Sequence, residues 1–179
     1  MQWNYRVADG DGSAIISAAN MTDKDYMQQA IEKTREGIQA GNSPFGTAIV
    51  KDGKVIARAH NTVWPDTDPT AHAEVNAIRQ AARTLGTIDL TGCVLYTTCE
   101  PCPMCLSAIH WARIDRCVYG ATIADADTSG FNELHVDAKK LAELGGSTLR
   151  VEKLSDGATC KVCAGLFQEW KQAGKCKAY

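Results

Sequence analysis

Apolar and small side chains recur at three- and four-residue steps through Tyr26, Met27, Ala30, Ile31, Thr34 and Ile38, the spacing of one helix face. Thr22-Asp23-Lys24-Asp25 ahead of them has the form of a helix start, and Gly41 behind them supplies a stop. The pattern predicts a core-facing helix between those signals. The period then changes. Thr47-Ala48-Ile49-Val50 and Val55-Ile56-Ala57 are short apolar runs joined through Asp52-Gly53, a strong hairpin signal. Trp64 to Pro69 reads as a loop, and Thr70 as the N-cap of a helix carrying His72 and Glu74 in its first turn. Ile78, Ala81, Ala82 and Leu85 continue that helix to Gly86.

Beyond it, Cys93 to Thr97 predicts a strand, Cys102 to about Arg113 a helix, and Cys117 to Ala121 a strand. A loop from Thr122 to Asn132 follows. A helix near Val136 to Leu144, a strand near Thr148 to Val151 and a helix from about Thr159 to Gln172 complete the chain. A hairpin followed by alternating helices and strands implies an α/β fold: one mixed five-stranded sheet in a three-layer α/β/α arrangement. Residues 1–20, rich in Gly, Ala, Ser and Asp, read as a loose extension, and residues 21–179 as a single domain.

Composition narrows the class. With 179 residues, 45% hydrophobic and 22% charged, the chain can bury a proper core. No apolar run approaches the roughly 20 residues of a membrane span, and the first residues lack a basic start followed by an apolar stretch. A cytoplasmic location is therefore expected. The net charge of −2 lacks the basic excess of a polynucleotide binder, apart from the small group Lys171, Lys175 and Lys177, and favours a small substrate over nucleic acid. Eight cysteines without an export signal suggest reduced thiols and a metal rather than a disulfide framework.

The chemistry lies in Thr98-Cys99-Glu100-Pro101-Cys102-Pro103-Met104-Cys105, read with His72-Ala73-Glu74. Cys102 and Cys105 point the same way if a helix starts at Pro101 or Cys102, and a helix N-terminus favours thiolates. Two thiolates and the His72 imidazole leave a tetrahedral zinc with one open position for water, the pattern of a catalytic site. Glu74, two residues past His72, is placed to exchange protons with that water without ligating the metal. H-x-E followed by P-C-x-x-C is the known signature of zinc nucleobase deaminases. Cys99 with Cys102 is an alternative ligand pair. Cys160 and Cys163 have zinc-like spacing too, although Cys163, Leu166, Phe167 and Trp170 form an apolar helical stripe that suits core packing. Trp111, at the end of the cysteine helix, reads by itself as core, Phe45 as a turn aromatic and Tyr179 as a frayed terminus.

On these residues, with Pro44-Phe45-Gly46, His60-Asn61, Asp68-Pro69-Thr70-Ala71, Ile109-His110-Trp111-Ala112-Arg113 and Gly130-Phe131-Asn132-Glu133, the chain resembles the cytidine-deaminase-like superfamily of zinc hydrolases. Within it the chain looks most like the bacterial and plant guanine and guanosine deaminases. That resemblance implies one catalytic Zn2+ per chain on His72, Cys102 and Cys105 with water as fourth ligand, Glu74 and Glu133 as proton-transfer groups, and guanine as substrate. It also implies a base site built from Phe45, Asn61, Ala73 and Trp111, and a homodimer whose C-terminal tail, tipped by Tyr179, closes over a site, often the partner's. Asn132 stands where many guanine deaminases carry Asp. Guanosine, another aminopurine or a triazine, and then adenosine in a tRNA loop, are the alternative substrates; a closed structural zinc would instead make the chain a binding module.

Overall fold

The computed structural model describes residues 21–174 and 177–179; the expected extension 1–20 lies outside them. Helix α1 (Asp23–Gln39) starts as its sequence requires. The Asp25 carboxylate accepts from the Thr22 backbone N–H at 2.8 Å and from its hydroxyl at 2.7 Å, which closes the first turn. Strands β1 (Gly46–Lys51) and β2 (Lys54–His60) form the expected hairpin. Asp52 and Gly53 both take positive φ, 50° and 72°, as a tight turn matched to the twist of its strands demands.

Next come a short helix α2 (Val63–Asp66), α3 (Ala73–Leu85), β3 (Cys93–Cys99), α4 (Pro103–Trp111) and β4 (Arg116–Ala121). A second short helix, α5 (Ile123–Asp127), precedes α6 (Ala138–Leu144), β5 (Arg150–Lys153) and α7 (Gly157–Gln172). Two stretches expected as loops thus contain single helical turns. Thr122 caps α5 by accepting from the Asp125 N–H, a local signal that the reading of 122–132 as one loop passed over. Thr70 does not cap α3. Its hydroxyl and N–H both donate to Asp68 Oδ1, at 2.6 and 2.8 Å, so it closes the turn before the helix, and His72 is the capping residue.

The five strands lie in the order β2-β1-β3-β4-β5, antiparallel from β2 to β3 and parallel from β3 to β5. Period-two alternation divides them between two cores. Ala48, Val50, Tyr96 and Val118 pack on one face against Met27 and Ile31 of α1 and Leu166 and Phe167 of α7. Ile49, Leu95, Cys93 and Cys117 pack on the other against Ala77 of α3, Ile109 of α4 and Ala138 of α6. This is the α/β/α sandwich the chain's periodicity implies. Because β3 and β4 are parallel and β1 runs against them, the C-terminal ends of β3 and β4, the start of β1 and the end of β2 share one edge of the sheet.

Close packing at that edge depends on Gly46. A Cβ there would collide with Thr34 Oγ1 and come within 2.7 Å of the Ala30 carbonyl oxygen and the Thr34 nitrogen of α1. Gly46→Ala is expected to destabilise the fold by about 1–3 kcal/mol and lower the melting temperature by several degrees, as thermal unfolding followed by circular dichroism would register.

Candidate active site

Two helices begin at this edge. His72 (φ −67°, ψ 157°) is the N-cap of α3, and Cys102 (φ −63°, ψ 166°) the N-cap of α4, with Pro103 as its first residue. Neither side chain caps its own helix; each turns toward the other. His72 Nδ1 lies 3.7 Å from Cys102 Sγ and 3.5 Å from Cys105 Sγ, and the three ligand atoms all fall within 4.8 Å of one another. Tetrahedral zinc with ordinary Zn–S and Zn–N bonds separates such ligands by about 3.5–3.8 Å, so the donor set fits that ion. Among the described residues this is the single group of three or more donors so placed. Cys99, the alternative ligand, is buried with its Sγ 3.4 Å from the Thr122 carbonyl. Cys160 Sγ contacts the Leu154 carbonyl and Cys163 is buried against Gly120, so both serve the packing of α7.

The thiols share one proton economy. Hydrogen bonding from Cys105, then from His72, holds Cys102 down at about 4 against the opposing effect of burial. Cys105 is pushed far up by that same contact and by burial. A dication would take both as thiolates. Burial works against protonation of His72, but Cys102 and Glu74 outweigh it and raise its pKa.

Glu74 sits in the first turn of α3, only 5% exposed. Its Oε1 accepts from Thr97 Oγ1 at 2.9 Å, and Thr97 in turn accepts from Thr47 Oγ1 at 3.2 Å across β1 and β3. Its Oε2 lies 3.4 Å from Cys105 Sγ. Burial raises its pKa, so this carboxylate takes up a proton readily. Neither Thr47 nor Thr97 carries a motif; only the fold identifies their role. The same holds for Asn76, whose amide donates to the Ala71 carbonyl, the Thr62 hydroxyl and the His60 carbonyl and so ties the His72 approach to α3.

The remaining candidates divide. Asn61 is buried, its Oδ1 fixed by the Val63 N–H at 3.1 Å, so that Nδ2 faces the site. There it donates to the Tyr179 hydroxyl at 2.6 Å. The Tyr179 ring lies 5.7 Å from the His72 ring, and a cavity of about 230 Å³ beside it is lined by His72, Cys102, Met104, Glu133 and Leu134 among others. Ala73 is buried at the start of α3. Phe45 does not line this cavity, contrary to expectation; it stands behind, edge-on to Phe131 and Phe167, because it belongs to the aromatic core. Trp111 is neither core nor base wall in this chain. At the far end of α4 and 80% exposed, it lines a larger cavity of about 1010 Å³ with Asp89, Arg113 and Arg150, away from the zinc motif. One nine-residue helix cannot bring both its ends to one site.

The tail is tied to its own chain. The Asn132 N–H donates to the Tyr179 carbonyl at 3.1 Å, and the Trp64 indole N–H donates to the Lys177 carbonyl at 2.7 Å. The Lys177 ammonium stands 4.0 Å over the Trp64 ring. Trp64, read from sequence as a loop residue, is thus the tail's fastening.

A three-donor zinc cradle at two helix starts, with a buried acid beside it at the carboxyl edge of a mixed sheet, defines a zinc-dependent deaminase. The chain belongs to the family described as the cytidine and deoxycytidylate deaminase zinc-binding region, whose model matches residues 20–121. Guanine deaminase of Bacillus subtilis (strain 168) is 49% identical over 114 residues, 63% of this chain and 73% of that protein. Its crystal structure superposes with a TM-score of 0.62. The guanine deaminase structure from Nitrosomonas europaea reaches a TM-score of 0.75 at 25% identity, covering 96% of this chain and 99% of that one. A tRNA-specific adenosine deaminase of Aquifex aeolicus (strain VF5) is 43% identical over 96 residues, 54% of this chain and 64% of that protein. Among the described residues, no helix is long and apolar enough to cross a membrane.

Two outcomes follow from this geometry. Trp64→Phe keeps an aromatic ring but loses the indole N–H, a bond worth about 1 kcal/mol, so carboxypeptidase should remove Tyr179 about fivefold faster than from wild type; equal rates would leave the strap without weight. Burial, then the charge of Cys102, pushes Glu133 up to about 7 from 4.5. The folded metal-free protein therefore holds this proton more tightly than the unfolded chain, and stability present below about pH 4.5 declines as the pH rises to about 7. Melting curves of chelator-treated protein across that window should fall more steeply for wild type than for Glu133→Gln.

Proposed function

We propose that this chain is a zinc-dependent aminohydrolase that converts guanine and water to xanthine and ammonia. The observation that carries the reading is Glu74: a buried carboxylate fixed by Thr97 through one oxygen, its other oxygen accepting from the Cys105 thiol of the metal cradle at 3.4 Å. His72, Cys102 and Cys105 would hold one zinc per chain, which when bound would supply a water of lowered pKa. Glu74 Oε2 would accept a proton from such a water, and burial, which raises its pKa, suits it to hold that proton and pass it on. Glu133, on the cavity wall, is placed to accept hydrogen bonds from ring N–H groups and to return a proton as ammonia leaves. Asn61 offers an N–H donor to a ring acceptor, its direction locked by Val63.

Guanine is favoured over adenosine in a tRNA loop by the net charge of −2 and by the chain's own Tyr179, whose hydroxyl occupies the Asn61 amide and whose ring stands against His72, where a flipped polynucleotide base would have to enter. The relatives named guanine deaminase support the same choice. The working unit is read as a homodimer, which would cover the exposed Trp111 and Leu144. The tail reaches its own chain's site here, so exchange of tails is a separate property of that dimer.

Ammonia release should be steady with free guanine and absent with tRNA; guanosine and other aminopurines complete the panel. Glu74→Gln should keep its zinc by elemental analysis and lose turnover by about 10²- to 10⁴-fold. Metal-replete mutant protein that still turns over would reject the mechanism.

A further inference from the structure

Glu100 lies between Cys99 and Cys102 in the motif stretch, yet its side chain faces away from the metal cradle. It is buried, and its two oxygens serve different elements. Oε2 accepts from the Ile123 N–H at 3.3 Å and Oε1 from the Ala138 N–H at 2.9 Å. Those donors belong to the first residues of α5 and α6, where helix geometry leaves N–H groups without internal partners. Its own N–H donates to the Ala121 carbonyl at 2.9 Å. One carboxylate therefore grips both ends of the segment 123–138, whose middle carries Phe131, Asn132 and Glu133. Between α5 and α6, Phe131 alone is buried, in the aromatic cluster. Glu133 lines the same cavity as Cys102, two residues along the chain from Glu100.

We infer that Glu100 is a positioning residue of the site: by clamping both ends of the 123–138 segment to the cysteine loop, it fixes where Glu133 stands relative to Cys102. The clamp needs two acceptors facing two N–H donors, which a carboxylate provides and an amide does not. Glu100→Gln keeps the shape but turns an NH2 toward one of the two backbone donors. The inference rests on the guanine-deaminase reading for its kinetic arm only.

The test is a double-mutant cycle with a structural companion. Glu100→Gln should retain zinc and lose between about tenfold and about a hundredfold in kcat/KM, the scale of a misplaced functional group. In the Glu133→Gln background the same change should cost less than about twofold, since the group it positions is gone. Equal losses in both backgrounds, no loss in the first, or an inert Glu133→Gln change would each overturn the inference. Hydrogen exchange needs no substrate: amides across 123–138 should exchange faster in Glu100→Gln while those of α4 do not change. Unchanged exchange in that segment overturns the clamp, whereas wild-type enzyme inactive on guanine would sink the proposed function alone. Should Glu100→Gln fail to fold, Glu100→Asp retains the charge but is too short to span both donors, and the same cycle and exchange measurements apply to it.

Discussion

Everything at the sheet edge answers to one constraint, a carboxylate buried in the protein interior without a matching cation among the side chains that touch it. Leaving such a group without hydrogen bonds costs several kcal/mol. Thr97, backed by Thr47, satisfies one oxygen of Glu74 and leaves the other directed at the cysteine pair. The threonines belong to two antiparallel strands in register, Thr47 opposite Thr97. The placement of the Glu74 carboxylate is thereby set by the strand pairing itself. A dication in the cradle would take Cys102 and Cys105 as thiolates, which balance its charge and release the Cys105 S–H bond to the second Glu74 oxygen.

The metal cradle is obtained by giving up ordinary helix chemistry. An N-cap is normally Ser, Thr, Asp or Asn, whose oxygen satisfies a free N–H of the first turn. Here His72 and Cys102 hold the capping positions with side chains turned away. Other contacts hold the approach to α3 in place. Asn76 reaches back from within α3 to three acceptors around the approach, and Asp68 with Thr70 closes the turn before it. Local rules broken at a site and compensated nearby are what a functional constraint on a fold looks like.

Closure of the site follows a second principle, aromatic packing with one polar handle. Phe131 meets Phe45, Phe167 and Trp170 within about 6 Å between ring centres and carries the contact outward to Tyr179. Only the outermost ring presents a hydroxyl, and that hydroxyl meets Asn61. The glycine-aromatic-acid segment 130–133 is thus half core and half site, with Phe131 anchoring what Glu133 uses.

Period and punctuation along the chain were enough to place every strand and the long helices, because each buries one face and the burial pattern repeats at the period of its backbone. The metal donors were legible for a related reason: zinc chemistry demands particular side chains at short spacings, and short spacings survive in one dimension. Thr47, Thr97, Asn76, Trp64 and Glu100 left no such mark, since each acts on a residue brought to it by strand pairing, a helix return or the tail. Trp111 shows the converse. Its motif placed it at the site, but the length of α4 carries it to the opposite end. Sequence determines which chemistry is present; which groups face it, and which are turned away, is decided by distances between segments that only folding brings together.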